Sequence, residues 1–507
     1  MVRYLSRLYS VIKSSHSTYM NRLLLLCIAV LALLAACTDD DDLLTGEADI
    51  YLTMDTLRFD TVFTSLGSAT RAIKVVNRES RPVLLDEVRL EQAGQSFFRL
   101  NVDGTPGDAV TDVRVPARDS VYIFVEVTID PDAPLSVSPF YVNDRLLVTT
   151  GSETRSVVLE AYGQNANYIP ARNASRTVSL LSCDFQQEVW DDDKPYVVYG
   201  IIVVDSCELV LPEGAQVYFH GGLVVDGELA YNDGLLFVGD NGRLTVNGTL
   251  DNPVRIQGDR LESPFDEVPG QWAGIRFGVG STGNSMDYAI IRQATVGVQV
   301  DSTADLTMTN TTIAHSAQVG VAGIHADLTA ENCLIYDSGV VGAFFDHGGT
   351  YRLDHCTVDY DGGDGAAVRM SNFRCLNDLC TERIYNPLDF KTTNSIYYSR
   401  QRDAIALLED TEAAFDYTFR SSVVRYNRLT DPDQPGSHPD FPDNCLGCIN
   451  AESSDTLFVD ANDYDYHLDS LSIAEGIGLP LPQLPLDLDG VVRDPIAPDA
   501  GAYEYID

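Results

Sequence analysis

The segments YAII (288–291), NTTI (310–313), NCLI (332–335) and HCTV (355–358) decide the fold of this 507-residue chain. Their last residues are all apolar and are separated by 22, 22 and 23 positions: Ile291, Ile313, Ile335 and Val358. A second series has the same period, with glycines that are 23, 22 and 23 positions apart: Gly297, Gly320, Gly342 and Gly365. Two series with one period indicate a repeating structure.

A repeat of this length is too short for a strand and a helix, but it can hold three short strands and their turns. Such a repeat is one coil of a parallel β-helix, in which each coil contacts only its neighbours. Earlier segments fit the same scheme, since LVVDG (223–227), LTVNG (244–248) and VRIQG (254–258) are strand-like runs that end in glycine. We expect a long loop to interrupt the coils between Asp361 and Lys391.

The stretch from Val246 through QWAGI (271–275) and the later coils resembles right-handed parallel β-helix repeat proteins. Many bacterial surface lipoproteins of unassigned function carry such a module. The resemblance implies a right-handed parallel β-helix, which we place at residues 169–435. The fold class that we predict for the whole chain is therefore all-β.

Residues 49–168 have alternating β patterns without a fixed period. AIKVV (72–76), VLLDEVRL (83–90) and VYIFVEV (121–127) are separated by turn residues. Short strands over about 120 residues predict an immunoglobulin-like β-sandwich. We expect it to be a spacer, and a peptide- or glycan-binding sandwich is the alternative.

Residues 436–507 include DLDG (487–490) and DAGAYEY (499–505), which resemble the terminal segment of bacterial β-helix surface proteins. We predict that this C-terminal cap covers the last open strand edge of the solenoid.

The N-terminus has the pattern of an export signal. Basic side chains precede LLLLCIAVLALLAA (23–36), an apolar run shorter than the roughly 20 residues of a membrane-spanning helix. The run ends in LAAC (34–37), which resembles the lipobox of bacterial lipoproteins. The resemblance implies a signal peptide over residues 1–36 and a lipid on Cys37, palmitate included. A start at Met20 would give a signal of conventional length.

Residues 37–48 contain TDDDD (38–42), whose adjacent carboxylates repel one another and predict an extended tether. The run also resembles the acidic signal that directs some lipoproteins to the outer face of the outer membrane. We therefore expect a lipid-anchored protein of the outer membrane that is exposed at the cell surface.

The formal net charge is −41, which repels phosphate backbones and excludes nucleic acid as an expected partner. A solvated acidic surface is the simplest interpretation. The alternatives are binding of divalent cations or of cationic partners. The partners that we expect are the membrane, through the lipid, and a glycan or a surface protein.

The eight cysteines beyond Cys37 form pairs that are close in sequence, and an exported location favours disulfides. The first two pairs are separated by about one coil, which could place their side chains on neighbouring strands. Reduced, stacked cysteines are the alternative for those two pairs, and a four-thiolate zinc site is an alternative for the last two. The pairs are Cys183 and Cys207, Cys333 and Cys356, Cys375 and Cys380, and Cys445 and Cys448.

Aspartates in DYDGGDG (359–365) suggest a calcium site made by Asp359, Asp361 and Asp364, although Asp-Gly pairs are equally good turns. We expect no other cofactor. The same region offers weak catalytic candidates, because the coil period can bring Asp337 into register with Asp359 or Asp361. His325, His347 and His355 lie in the same stretch of sequence.

The sequence contains no complete catalytic constellation. We predict a non-catalytic surface protein whose β-helix has a binding, adhesive or structural role, with carbohydrate as a candidate ligand. The alternative is a polysaccharide-degrading enzyme, either a glycoside hydrolase or a lyase, with its groove along the coils from 320 to 400. Between residues 281 and 370 the only basic side chains are Arg292, Arg352 and Arg369, which counts against cleavage of polyanions. Trp272 and several tyrosines are candidates for stacking on sugar rings.

Overall fold

A computed structural model describes residues 43–63, 70–127, 141–164, 166–169, 178–226, 229–261, 265–363, 365–400 and 403–506. The predicted signal peptide, Met20, Cys37 and residues 38–42 of the tether lie outside the described residues, and so does Asp364. Within the described part of the chain, no helix has the length and the apolar character that a membrane crossing requires. The chain divides into two compact units, and from Tyr162 onward it belongs entirely to the second unit.

The first unit is built from strands. They are β1 (Ile50–Leu52), β2 (Thr56–Phe63), β3 (Arg71–Asn77), β4 (Val83–Leu90), β5 (Phe98–Val102), β6 (Thr105–Pro106), β7 (Ala109–Val115), β8 (Ser120–Val127), β9 (Tyr141–Thr150) and β10 (Glu153–Gln164). Among the described residues these strands form two five-stranded sheets, ordered β1-β3-β8-β5-β6 and β2-β10-β9-β4-β7.

Alternation of apolar and polar residues explains the core of this unit. In β8 the side chains of Val121, Ile123 and Val125 are buried, while the residues between them are exposed. The two sheets contact each other through Phe59 of β2 and Phe98 of β5, whose ring centroids are 5.8 Å apart. The immunoglobulin-like topology of these sheets stays a prediction.

The second unit contains the remaining strands. They are β11 (Asn167–Ile169), β12 (Val178–Leu181), β13 (Gln187–Val189), β14 (Tyr196–Tyr199), β15 (Ile201–Val204), β16 (Cys207–Pro212), β17 (Gln216–His220), β18 (Leu223–Asp226), β19 (Leu229–Asn232), β20 (Leu235–Val238), β21 (Gly242–Asn247), β22 (Val254–Gly258), β23 (Trp272–Phe277), β24 (Asn284–Asp287), β25 (Ala289–Arg292), β26 (Ala294–Val300), β27 (Asp305–Thr309), β28 (Thr312–Ser316), β29 (Val319–Glu331), β30 (Leu334–Ser338), β31 (Val341–Asp354), β32 (Thr357–Asp359), β33 (Ala366–Ser371), β34 (Phe373–Cys375), β35 (Arg383–Tyr385), β36 (Leu388–Thr393), β37 (Ile396–Tyr398), β38 (Ile405–Leu408), β39 (Phe415–Arg420), β40 (Val423–Val424), β41 (Cys445–Leu446), β42 (Ile449–Asn450), β43 (Phe458–Asp460) and β44 (Asp465–Leu468). Short 3-10 helices lie at Phe441–Asn444 and Ala461–Asp463.

Most of these strands form a parallel β-solenoid. In the described residues, one sheet of 11 strands runs from β11 to β42, and a sheet of 17 strands holds most of the others. Each strand pairs in parallel with the equivalent strand of the next coil. The first sequence series is a ladder of direct partners, because Ile291 pairs with Ile313, Ile313 with Ile335, and Ile335 with Val358. The predicted all-β fold with stacked parallel coils is confirmed, and its right-handedness stays a prediction.

The glycine series is explained by close packing against the first ladder. A Cβ atom added to Gly320 would lie 2.5 Å from Ile335 Cγ2 and 2.7 Å from the carbonyl oxygen of Gly342. Gly342 is in the same position one coil later, where an added Cβ would lie 2.6 Å from Val358 Cγ1. Gly297 packs against Ile313 in the same way, so the two series share one period because these glycines make room for the aliphatic side chains beside them, whereas an added Cβ on Gly365 would meet the ring of Tyr360.

Asparagines turn the chain into the 11-stranded sheet. Asn310, Asn332 and Asn394 each precede a strand of this sheet and have φ values of 48°, 54° and 55°. Asparagine tolerates this left-handed conformation better than most residues. The amide of Asn332 also donates to Oδ1 of Asn310 at 3.2 Å, so the turns of successive coils are linked.

The interruption of the coils is shorter than predicted. Residues 361–391 were expected to form one long loop, but β33 and most of β36 lie within this range and pair with neighbouring coils. The inserted part is the antiparallel hairpin of β34 and β35. The glycine series already included Gly365, which directly precedes β33, but the hairpin separates β33 from β36 and breaks the period after it.

The C-terminal segment lies along the side of the solenoid. Asn332 contacts it by donating to the carbonyl oxygen of Leu486, and Asn394 by donating to that of Leu479. The backbone N–H of Ala502 donates to Oγ1 of Thr357. The covering of the last open edge stays a prediction, and these contacts are with coils well before the last strands. The physical reason is that apolar side chains on the outer face of the 11-stranded sheet pack against it.

Six of the eight candidate cysteines form disulfides in the structure: Cys183 with Cys207, Cys375 with Cys380, and Cys445 with Cys448. Cys333 and Cys356 differ from the disulfide expectation, because both are buried free thiols. They lie in the core at consecutive coils, as in the alternative of stacked reduced cysteines. The disulfides leave no free thiolate for the alternative zinc site.

Candidate functional site

The three weak catalytic candidates line one cleft of about 340 Å³, which we name the acidic cleft. Asp337 lies in β30, Asp359 ends β32, and Asp361 follows two residues later. Because Ile335 pairs with Val358, Asp337 and Asp359 lie near the same level of adjacent strands, which are spaced by about 4.8 Å. The coil period thus brings carboxylates that are 22 residues apart in sequence into one site.

The C-terminal segment forms the opposite wall of this cleft. The sequence-based alternative placed a groove along the coils from 320 to 400, and in the structure residues 461–466 add a wall that this interpretation did not include. The lining residues are Asp337, Ser338, Gly339, Asp359, Asp361, Gly362, Tyr398, Arg400, Ala461, Asn462, Tyr464 and Tyr466.

Asp359 is the most buried of the three carboxyl groups. It is only 6% exposed, and Tyr466 Oη donates to its Oδ2 at 2.9 Å. Burial raises the pKa of Asp359 to about 7, and the nearby charge of Asp361 adds to the rise. The hydrogen bond from Tyr466 and the charge of Arg400 act in the opposite direction. Near neutral pH this carboxyl group therefore exists in both its protonated and its ionised form.

Asp337 is more accessible than Asp359, with its side chain 43% exposed. One oxygen, Oδ2, is 2.6 Å from Nδ1 of His315, which is buried one coil earlier. Both residues have left-handed backbone conformations, with φ values of 53° for His315 and 48° for Asp337. The shared turn geometry orients the two side chains toward each other, and the imidazole fixes the position of the Asp337 carboxylate.

Asp361 is held less tightly. Its carboxylate is 3.8 Å from the guanidinium of Arg400, and both side chains are about half exposed. Such an exposed pair contributes little to stability. Arg400 also donates to Oδ1 of Asn462 at 2.9 Å, so it connects the carboxylate to the C-terminal wall of the cleft.

Tyrosine rings form the aromatic part of the site. The ring of Tyr464 meets His315 edge-on at 4.9 Å, and the ring of Tyr336 meets the same imidazole at 5.5 Å. Tyr336 also contacts Tyr466, with ring centroids 5.0 Å apart. Burial raises the pKa of the Tyr464 and Tyr466 hydroxyls, so both stay protonated and can donate hydrogen bonds at neutral pH.

The arrangement can perform acid–base chemistry. A carboxyl group whose pKa is near 7 can supply a proton, while a fixed carboxylate beside it can accept one. Asp359 and Asp337 are the two groups of the cleft with these properties, and the partly exposed Tyr464 offers a hydroxyl donor and a ring face to a polar ligand.

His315 is a residue of the site that the sequence reasoning missed, although the signal was present. It precedes Asp337 by 22 residues, which is the coil period that defines the first ladder. Tyr464 and Tyr466 come from a segment without this period, so no such signal existed for them. Trp272 is fully buried and stacks on Phe219 at 4.5 Å, which excludes it as an exposed sugar platform.

The three histidines named from the sequence lie away from the acidic cleft. The rings of His325 and His347 are 5.7 Å apart, and these residues lie in β29 and β31. His355 is buried two residues before β32, beneath the C-terminal segment.

Among the described residues, no group of three or more His, Cys, Asp or Glu side chains is placed to hold a metal ion. Asp359 and Asp361 of the predicted calcium site line the acidic cleft, whereas Asp364 lies outside the described residues. Calcium binding by these three aspartates stays a prediction.

No protein-family model matches the chain, and no curated protein sequence matches it. Solved structures give distant likenesses. The catalytic unit of a thermostable GH87 α-1,3-glucanase from Streptomyces thermodiastaticus strain HF3-3 matches 74% of this chain and 79% of its own, with 10% identity and a TM-score of 0.25.

Two other structures match shorter parts. A family 123 glycoside hydrolase from Clostridium perfringens matches 24% of this chain with 10% identity and a TM-score of 0.18, and the match spans about a quarter (25%) of that enzyme. WR4, a C. elegans MSP family member, matches 23% of this chain and 99% of its own, with 7% identity and a TM-score of 0.14. With TM-scores this low, these likenesses do not bear on what the chain does.

Proposed function

We propose that the chain is a surface-anchored glycoside hydrolase that binds a glycan in the acidic cleft and cleaves a glycosidic bond there. One observation supports this function above all: Asp337, Asp359 and Asp361 converge on a single cleft that is open to solvent and walled by tyrosines. A non-catalytic solenoid would be expected to carry its turn carboxylates scattered along the coils. The proposal thus takes the alternative that the sequence left open.

Asp359 is the general acid in this proposal. Its carboxyl group is protonated in a substantial fraction of molecules near pH 7, because burial raises its pKa to about 7. The group gives its proton to the glycosidic oxygen while the bond from that oxygen to the anomeric carbon breaks. Tyr466 holds the carboxyl group in place through the hydrogen bond to Oδ2.

Asp337 is the general base. Its carboxylate takes one proton from a water molecule as the water oxygen bonds to the anomeric carbon. One water is consumed, each product chain ends in a hydroxyl group, and the proton on Asp337 returns to Asp359 through solvent. His315 acts as a positioning residue, since it fixes the Asp337 carboxylate at 2.6 Å without lining the cleft.

Neutral glycans are the favoured substrates. The cleft presents three carboxyl groups and a single guanidinium, from Arg400, in a chain with a net charge of −41. This field disfavours a polyanionic ligand. Sugar hydroxyls pair with the carboxylates, while a sugar ring face can lie on Tyr464, since Tyr398 and Tyr466 are only 8% and 3% exposed.

The anchor and the spacer belong to the same proposal. Export followed by lipidation at Cys37 would attach the chain to the outer membrane, and the acidic run 38–42 supports display on the cell surface. The two sheets of the first unit then serve as an immunoglobulin-like spacer between the lipid and a right-handed solenoid. Display at the surface suits an enzyme whose polymeric substrate cannot cross the membrane.

The test is a panel of neutral and acidic polysaccharides, with release of reducing ends and retention of the polymer measured in parallel. We expect release from a neutral glycan, and we expect Asp359→Asn to lower it by about 100-fold or more while retention persists. Asp416→Asn, at an exposed position of β39, is the matched control and should leave release unchanged. Equal release by the parent protein and Asp359→Asn would contradict the proposed acid.

Non-catalytic glycan binding is the second candidate, and one observation favours it. Asp359 exposes only 6% of its surface and already accepts a hydrogen bond from Tyr466, so little of it faces a ligand. Retention of a glycan by the parent protein without release of any product would select this candidate.

A further inference from the structure

The outer face of one sheet of the first unit carries two exposed aromatic rings. In β8 every second side chain is buried, so Tyr122, Phe124 and Glu126 point to the solvent side of the sheet. Tyr122 and Phe124 are each 41% exposed. Packing inside the unit therefore does not explain why the sequence has rings at these two positions, and neither ring takes part in the proposed hydrolysis.

Lys74, Tyr122 and Phe124 form a short stack. Lys74 lies directly across from Tyr122 on β3, and its ammonium nitrogen is 4.8 Å from the centroid of the Tyr122 ring. The centroids of the Tyr122 and Phe124 rings are 5.8 Å apart, and the two ring planes are within 13° of parallel. The cation–π contact and the stacking thus hold both rings in one orientation at the surface of the sheet.

One face of the Phe124 ring is left over at the end of this stack. Among the described residues, Tyr122 is the only one whose ring lies against Phe124, and no cation lies over the Phe124 ring. The residues directly across from Phe124 on the two neighbouring strands are Ala72 and Asn101, whose side chains are too short to cover the ring. The second face of Phe124 is therefore accessible to a ligand.

Polar side chains border this accessible face. Asn101 is the neighbour of Phe124 on β5, and the next pair on the same face of these two strands is Arg99 with Glu126. Arg99 and Glu126 are both exposed, and their opposite charges favour a neutral ligand. An aromatic face beside hydrogen-bonding groups matches a pyranose ring, which has an apolar C–H face and a rim of hydroxyl groups.

We propose that the first unit binds a neutral glycan at this face, with one sugar ring stacked on Phe124 and its hydroxyl groups bonded to the polar side chains beside it. The choice of a glycan rests on the proposed function, whereas the site itself rests on the sheet. The exposed parts of the two rings amount to roughly 150 Å², because an aromatic side chain has about 150–250 Å² and 41% of each residue is exposed. A stable protein interface buries about 800 Å² on each partner, so a protein or a second copy of this chain is the poorer occupant.

The experiment is affinity electrophoresis of the whole protein through gels that contain β-glucan, dextran, galactomannan or xylan. The protein carries Asp359→Asn, so that cleavage is slow, and we expect at least one of these neutral polysaccharides to retard it. Phe124→Ala should weaken this binding about 2- to 10-fold, as expected for the loss of one aromatic contact, whereas Phe124→Trp should retain it. Equal retardation with and without Phe124→Ala, or retardation by none of the four polysaccharides, would overturn the proposal.

Two further variants separate this site from the acidic cleft. Tyr51→Ala removes a ring of the same sheet that is 44% exposed and lies outside the stack, and it should leave the retardation unchanged. Tyr464→Ala removes the ring that we assign to sugar binding in the acidic cleft. If Tyr464→Ala abolishes the retardation and Phe124→Ala does not change it, the site on the first unit is refuted and the proposed function stands. If Phe124→Ala weakens the retardation but the parent protein cleaves no glycan, the site stands and the proposed hydrolysis is refuted.

Discussion

Replacing Asp359 by asparagine should make the solenoid more stable at alkaline pH. Asparagine has nearly the same shape, and its Oδ1 can still accept the hydrogen bond from Tyr466. The variant differs chiefly in that its buried side chain cannot ionise. In the parent protein, ionisation of Asp359 places a charge at a position that is 6% exposed, which opposes folding.

The magnitude follows from the pKa of Asp359, which rises from an ordinary value of 3.8 to about 7 in the folded protein. Each pKa unit corresponds to about 1.4 kcal/mol, so ionisation costs the folded state about 4 kcal/mol. The folded state binds the proton more tightly, and the free energy of unfolding therefore falls as the pH rises from about 4 to about 7. Below pH 4 the parent and the variant should be about equally stable.

Tryptophan fluorescence during urea unfolding is the appropriate assay. The chain has two tryptophans, and both Trp190 and Trp272 are buried in the solenoid, so the signal reports this unit alone. The midpoint of Asp359→Asn should exceed that of the parent at pH 8 and approach it near pH 4. Asp416→Asn removes an exposed carboxylate of the same solenoid and should show no such trend. A difference between Asp359→Asn and the parent that is constant from pH 4 to 8 would refute the reasoning.

Three further outcomes are expected. Gly320→Ala should lower the free energy of unfolding by about 1–3 kcal/mol in urea titrations, because the added methyl group lies 2.5 Å from Ile335 Cγ2; an unchanged midpoint would contradict the close packing of the two ladders. Phe390→Ala, at a fully buried core position, should cost about 3–5 kcal/mol in the same titration. Cys37→Ala should move the protein from the membrane to the soluble fraction, and retention in the membrane would exclude the lipid anchor.

The sequence predicted the solenoid because its physical cause is local and periodic. Each coil places the same kind of residue at the same position, so the pairing of Ile313 with Ile335 follows from their spacing in the sequence. The same spacing brought Asp337 to Asp359, and it would also have brought His315 to Asp337. Half of the acidic cleft could therefore be predicted from the period alone.

The other half could not be predicted in this way. Tyr466 meets Asp359 across 107 residues of sequence, and Asn332 meets Arg493 across 161. These contacts depend on where a non-repeating segment lies against the coils, and no period relates one side of the contact to the other. The sequence identified the carboxylates, but it could not show that Tyr466 lies against Asp359 and donates a hydrogen bond to it.

The most direct test of the acidic cleft is the pH dependence of kcat/KM on a glycan that the parent protein cleaves. Because Asp359 must be protonated to act as the acid, and its pKa is about 7, we expect kcat/KM to fall about tenfold per pH unit above that value. A kcat/KM that stays constant from pH 6 to 9 would contradict the assignment of Asp359 as the acid.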